Sequence, residues 1–66
     1  MKLTLNGELR EISESKTVSD LLRSLSLGEK LVLVEQNGQP VPREEFSATS
    51  VRDGDKIEIV RMVAGG

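Results

Sequence analysis

The sequence predicts an α+β roll, with a mixed sheet of four to five strands and one main helix packed across one face. Three observations predict it. Two Asn-Gly dipeptides, Asn6-Gly7 and Asn37-Gly38, each follow a run with strand-like apolar residues. A single apolar stripe after Thr17 recurs at helical spacing. The last segment, Lys56 to Val63, has apolar residues on both of its faces, which suits the middle of a sheet. In the resulting order of strand, strand, helix, strand, strand, strand, the last strand can lie parallel to the first.

Residues 2–6 alternate, so Leu3 and Leu5 share one face. Asn6-Gly7 is the strongest short hairpin signal, because both central residues of a type I′ turn need positive φ. Glu8 to Ile12 returns antiparallel. Leu9 and Ile12 break the period of two, which implies a bulge or a strand end between them. Thr17 can cap a helix, and Asp20 stands three residues on, a weaker relative of the capping box. Val18, Leu21, Leu22 and Leu25 form the stripe, and Gly28 reads as the stop.

Leu31 to Glu35 is the next strand, and Asn37-Gly38 turns it into Gln39 to Val41. Pro40 and Pro42 donate no ladder hydrogen bonds, so that segment belongs at an edge. Arg43 to Phe46 can form one helical turn after Pro42. Phe46, the sole aromatic residue, is read as a core plug. Asp53-Gly54-Asp55 is a third turn, which explains its two carboxylates without calcium. In the last strand Ile57 and Ile59 face the core, while Val60 and Met62 point the other way.

The chain has 66 residues, enough for one small domain. We divide it into a folded unit over 1–62 and a flexible tail over 63–66. It has no Cys and no His, so neither a disulfide nor a zinc site of the usual ligands can brace it. The net charge is −2, with 9 basic and 11 acidic residues in no block. That mixture argues against nucleic acid and against a polybasic membrane contact. The longest apolar run, Leu31 to Val34, is far too short to span a bilayer. A cytoplasmic setting is expected.

These residues resemble a known family. The order of elements is similar to the β-grasp fold of ubiquitin, and Gly65-Gly66 resembles ubiquitin's own end. Within that superfamily the chain resembles the ThiS family, the sulfur carriers of thiamine biosynthesis. The resemblance rests on Met1-Lys2-Leu3-Thr4-Leu5-Asn6-Gly7, on Thr17-Val18-Ser19-Asp20-Leu21-Leu22 and on Val41-Pro42-Arg43-Glu44. It continues through Asp53-Gly54-Asp55-Lys56-Ile57-Glu58-Ile59 to Ala64-Gly65-Gly66. The small subunit of molybdopterin synthase is similar at the terminal Gly-Gly. It usually carries a Pro-rich or Phe-containing stretch before that pair, where this chain has Arg61-Met62-Val63-Ala64.

The resemblance implies a function centred on the carboxylate of Gly66. A ThiF-like adenylating enzyme would join it to AMP, using ATP and magnesium held in that enzyme. A sulfur-donating enzyme would help convert it to a thiocarboxylate, and a ThiG-like thiazole synthase would take the sulfur. This chain has no Gly-rich phosphate loop and is expected to bind no cofactor or metal itself. Glycine has no Cβ, so Gly65 and Gly66 can enter a channel too narrow for side chains. With Val63 and Ala64 they make an arm that reaches about 13 Å when extended. Val60, Met62 and Arg61 are the expected docking residues for partners. Val60 and Met62 also fit ordinary surface apolars, and Arg61 a solvated strand residue. Two further readings remain open: a ubiquitin-like modifier conjugated to lysine, and a non-covalent interaction module. An independent enzyme is not expected from a chain without His or Cys.

Overall fold

The computed structural model describes residues 1–62. Its elements are β1 (Lys2–Leu5), β2 (Glu8–Glu11), α1 (Val18–Ser24), β3 (Val32–Gln36), β4 (Gln39–Val41) and β5 (Lys56–Arg61). Short 3-10 turns occupy Glu29–Leu31 and Arg43–Glu45. The five strands form one sheet in the order β2-β1-β5-β3-β4. β1 and β5 are parallel, and every other pair is antiparallel. This is the β-grasp arrangement, with the last strand at the centre.

The two hairpins form where the Asn-Gly pairs stand. Asn6 and Gly7 have φ of +49° and +83°, and Asn37 and Gly38 have +50° and +85°. Only a residue tolerant of left-handed backbone fits these positions cheaply. The β1–β2 register runs unbroken from Leu5↔Glu8 to Lys2↔Glu11. The break in period between Leu9 and Ile12 is therefore a strand end and not a bulge. Ile12 lies just past β2 and turns inward, its N–H donating to the Met1 carbonyl at 2.8 Å.

Leu3 and Leu5 of β1, Val32 and Val34 of β3, and Ile57 and Ile59 of β5 share one sheet face. They join Val18, Leu21 and Leu22 of α1 in a single buried cluster that also holds Ile12, Phe46 and Val51. Phe46 is 1% exposed and is the largest fully buried side chain, as its sole aromatic ring suggested.

Helix α1 has only seven residues, so its end groups matter as much as its stripe. Thr17 Oγ1 accepts from the Asp20 N–H, and the Asp20 carboxylate accepts from the Thr17 N–H in return. The weak motif is thus a complete capping box. The loop after β4 supplies two more acceptors: Thr49 O takes the Val18 N–H, and Phe46 O takes the Ser19 N–H. Ser19, which the helical pattern placed off the stripe, is buried as a result.

The helix ends earlier than Gly28 suggested. Ser26 adopts φ +60°, its N–H bonds to Arg23 O, and the Leu27 N–H bonds to Leu22 O at 2.8 Å. This is a Schellman stop with serine in the left-handed position. Gly28 has φ −80° and instead precedes the 3-10 turn. The third strand correspondingly begins at Val32, after that turn has used Leu31.

The Asp53–Asp55 turn seats the first strand. Lys2 N–H donates to Asp53 Oδ1 at 2.6 Å, and Gly54 N–H donates to Lys2 O at 2.7 Å. Asp55 is the hub beside it. Burial by itself pushes its carboxyl pKa up. Hydrogen bonds from the Arg52 N–H and from the Asn37 and Gln36 amides outweigh that and hold it below its ordinary 3.8. Asp20 is also lowered, chiefly by the Lys16 N–H.

Two outcomes follow from these contacts. Ser26→Gly is expected to raise stability by about 0.5–1 kcal/mol, measured by urea unfolding, because glycine removes the left-handed penalty. A carboxyl with a lowered folded pKa stabilises above its unfolded value, and that contribution is lost as pH falls through the folded one. Wild type should therefore lose stability below its ordinary 3.8. Asp55→Ala should lower stability at neutral pH by roughly 1–2 kcal/mol and flatten the fall in acid. An unchanged acid slope in that variant would contradict the hub role.

Candidate functional site

The site is the end of β5 and what surrounds it. Val63, Ala64, Gly65 and Gly66 lie outside the described residues, so the structure bears on their root. That root is held firmly. β3 pairs with β5 over five positions, from Gln36↔Ile57 to Val32↔Arg61. Met62, just past the strand, donates its N–H to Leu31 O at 2.7 Å. On the other side β1 pairs at Thr4↔Lys56 and Leu5↔Ile57. Asn6 then extends this contact through its side chain, Oδ1 accepting the Ile59 N–H at 2.7 Å. Asn6 therefore serves both the turn and the anchoring of the last strand. The Asn-Gly signal pointed only to the turn.

The three expected docking residues divide between two faces of the sheet. Val60 lies on the face opposite the helix and is 58% exposed. It sits directly across from Leu33, which is 57% exposed. Met62 and Leu31, joined by the backbone hydrogen bond just described, are also exposed. Leu31, Leu33, Val60 and Met62 thus bring four large apolar side chains to the place where the tail departs. Leu31 and Leu33 were not picked out from sequence as functional. The signal was present: a four-residue apolar run in a strand with one buried face must leave its alternate residues exposed. Most of the remaining open face is polar, with Glu35 opposite Glu58 between β3 and β5.

Arg61 is not part of that group. It is in register with buried Val32, so it stands on the helix side of the sheet. There it borders a depression with Arg10, Leu5, Leu25 and Leu27. Among the described residues the one salt bridge is Arg23–Asp20 at 3.4 Å, on the exposed face of α1.

Among the described residues no three His, Cys, Asp or Glu side chains gather as a metal site. The two shifted carboxyls, Asp20 and Asp55, are both explained by hydrogen bonds that hold the fold. Among the described residues no helix is long and apolar enough to cross a membrane. What the described residues offer is an anchored strand and an apolar patch on one face, and the sequence continues from there through Val63 and Ala64 to Gly65-Gly66.

Comparison with known proteins agrees with this layout. The model of the ThiS family matches residues 3–66, which includes the terminal glycines. A thiazole synthase from Paramagnetospirillum magneticum is 46% identical over all 66 residues, and the chain spans 20% of that protein's length. The sulfur carrier protein ThiS of Bacillus subtilis is 38% identical, with 97% of this chain and 98% of that one covered. The crystal structure of the thiamine biosynthesis protein ThiS from Geobacter metallireducens superposes with a TM-score of 0.82 at 38% identity, over the full length of both chains. Fold, length of match and terminal residues agree, and the chain belongs to the ThiS family.

Proposed function

We propose that this chain is a protein-borne sulfur carrier of thiamine biosynthesis, acted on by partner enzymes. The observation that supports this most is the pairing of a Gly-Gly end with a family match that runs through it. The Gly66 carboxylate attacks the α-phosphorus of ATP in an adenylating partner, and pyrophosphate leaves. Magnesium and cationic groups of that partner offset the phosphate charge. A sulfur nucleophile then displaces AMP from the acyl carbon and leaves a thiocarboxylate on Gly66. Thiazole synthase takes the sulfur from that end.

The fold contributes presentation. β5 is held from both sides up to Ile59, and its β3 contacts continue to Met62. The tail therefore starts from a fixed point. Leu31, Leu33, Val60 and Met62 give a partner an apolar surface beside that point. Patches of this kind bind well because their burial is favourable and Met adapts to more than one surface.

Intact mass after incubation with the adenylating enzyme, ATP and a sulfur source should show sulfur replacing oxygen, located at Gly66. Deleting Gly66 should abolish adenylation while leaving the unfolding midpoint unchanged. Normal activation without Gly66 would defeat the reading. Val60→Glu or Leu33→Glu should weaken binding to the adenylating enzyme about tenfold or more, as for a buried apolar anchor. Both are exposed, so stability should stay within about 0.5 kcal/mol. Unaltered affinity would remove the patch from the interface.

A further inference from the structure

The two edges of β5 are completed differently. Even-numbered residues bond towards β3, as the Met62 N–H and the Lys56 carbonyl do. Odd-numbered residues face the opposite side, because groups alternate along a strand. There the Ile57 carbonyl accepts the Asn6 N–H at 2.9 Å, and the Asn6 side chain takes the Ile59 N–H. β1 has already ended at Leu5. Past Asn6, the ladder alternation turns the Ile59 carbonyl and the N–H and carbonyl of Arg61 away from β3, and β1 offers no paired residue beyond Ile57 among the described residues. A row of unpaired strand groups is a template for another strand.

The surroundings say what kind of strand. The depression on the helix side of this edge is lined by Arg61, Arg10, Leu25 and Leu27 with no acidic residue in its lining, and Glu8, opposite Leu5, is the one acidic residue of β2 on that side of the sheet. In a chain of net charge −2 this is a local cationic spot with apolar walls. It complements an extended segment that carries a carboxylate and an apolar side chain.

We propose that thiazole synthase adds an acidic extended segment to this edge of β5, as a sixth strand of the sheet. The proposal rests on the sulfur-carrier reading above. Backbone hydrogen bonds to Ile59 and Arg61 align the segment, and its carboxylate meets the guanidinium groups of Arg61 and Arg10. Asn6 sets where the added strand begins, since it fills the preceding position. The synthase is favoured over the adenylating enzyme because a synthase relative contains a stretch matching this whole chain, so the two parts can share one polypeptide. The carboxylate contact lies on the helix side of the sheet and the patch around Val60 on the opposite face.

The test compares Arg61→Ala with Arg61→Pro in the full 66-residue chain, by calorimetric titration against recombinant thiazole synthase. Both variants lose the guanidinium, and only the second loses the N–H. That N–H faces away from β3, and proline suits such an edge position. Arg61→Pro is expected to bind about fivefold more weakly than Arg61→Ala, the effect of one net hydrogen bond. If proline unfolds the domain, a synthetic chain with an ester in place of the Arg61 amide gives the same comparison. Arg10→Glu, far from the tail in sequence, should weaken binding at least about fivefold by charge repulsion. Equal affinity of the alanine and proline variants overturns strand addition. Wild-type affinity in Arg10→Glu overturns the acidic occupant. A shortfall seen only with the adenylating enzyme overturns the choice of synthase. Wild type that is loaded with sulfur normally while the two Arg61 variants bind alike defeats this proposal alone. Wild type that gains no sulfur defeats the carrier reading as well.

Discussion

The parallel pairing of β1 with β5 joins the two ends of the chain, and the rest of the molecule is arranged around it. The contact Thr4↔Lys56 closes most of the polypeptide into one loop. Such closure costs conformational entropy, and burial of apolar side chains from both joined strands offsets it. Leu3, Leu5, Ile57 and Ile59 provide that burial beneath α1. β5 is then free to pair with β3 on its far side, which places the tail-bearing strand in the sheet interior.

Without disulfide or zinc, the polar groups of so small a domain need careful placement. The segment between β4 and β5 has little regular structure, yet it satisfies groups at several sites. It accepts the first N–H groups of α1 through Phe46 and Thr49, and it accepts Lys2 N–H through Asp53. It also ties Gln36 and Asn37 to Asp55. Among the described residues no buried side-chain polar atom is left without a partner. An unmet buried group costs on the order of 1–3 kcal/mol, a large fraction of the stability of a 66-residue chain. This loop therefore behaves as part of the core and not as a passive connection.

The alternation of β5 separates its two faces. Ile57 and Ile59 hold the fold, while Val60 faces out beside Leu33. Arg61 returns to the helix side, where Arg10 lies near it. Neighbouring residues in sequence thus serve different surfaces. A partner that grips one side of the end of β5 leaves the other accessible.

Much of this was legible in the residues themselves. The two Asn-Gly turns, the Thr17 cap, the proline-marked edge and the central last strand follow from local stereochemistry and from periods of two and 3.6. The Gly65-Gly66 pair was legible too, since it is a property of composition and order. Other features depend on groups that meet only after folding. Gly28 looked like the helix stop, but the chain turned at Ser26, where Leu22 and Arg23 carbonyls were in reach. Leu33 was read only as part of a strand, and its register opposite Val60 placed it on the open face. Asn6 looked like a turn residue alone, and its second role needed Ile59, fifty-three positions away, to arrive beside it. Local backbone preference thus determined the elements and their order, because it acts between neighbours. The edge left open on β5 and the two-sided surface at the tail root were decided by the tertiary structure, because pairing partners come from distant parts of the chain.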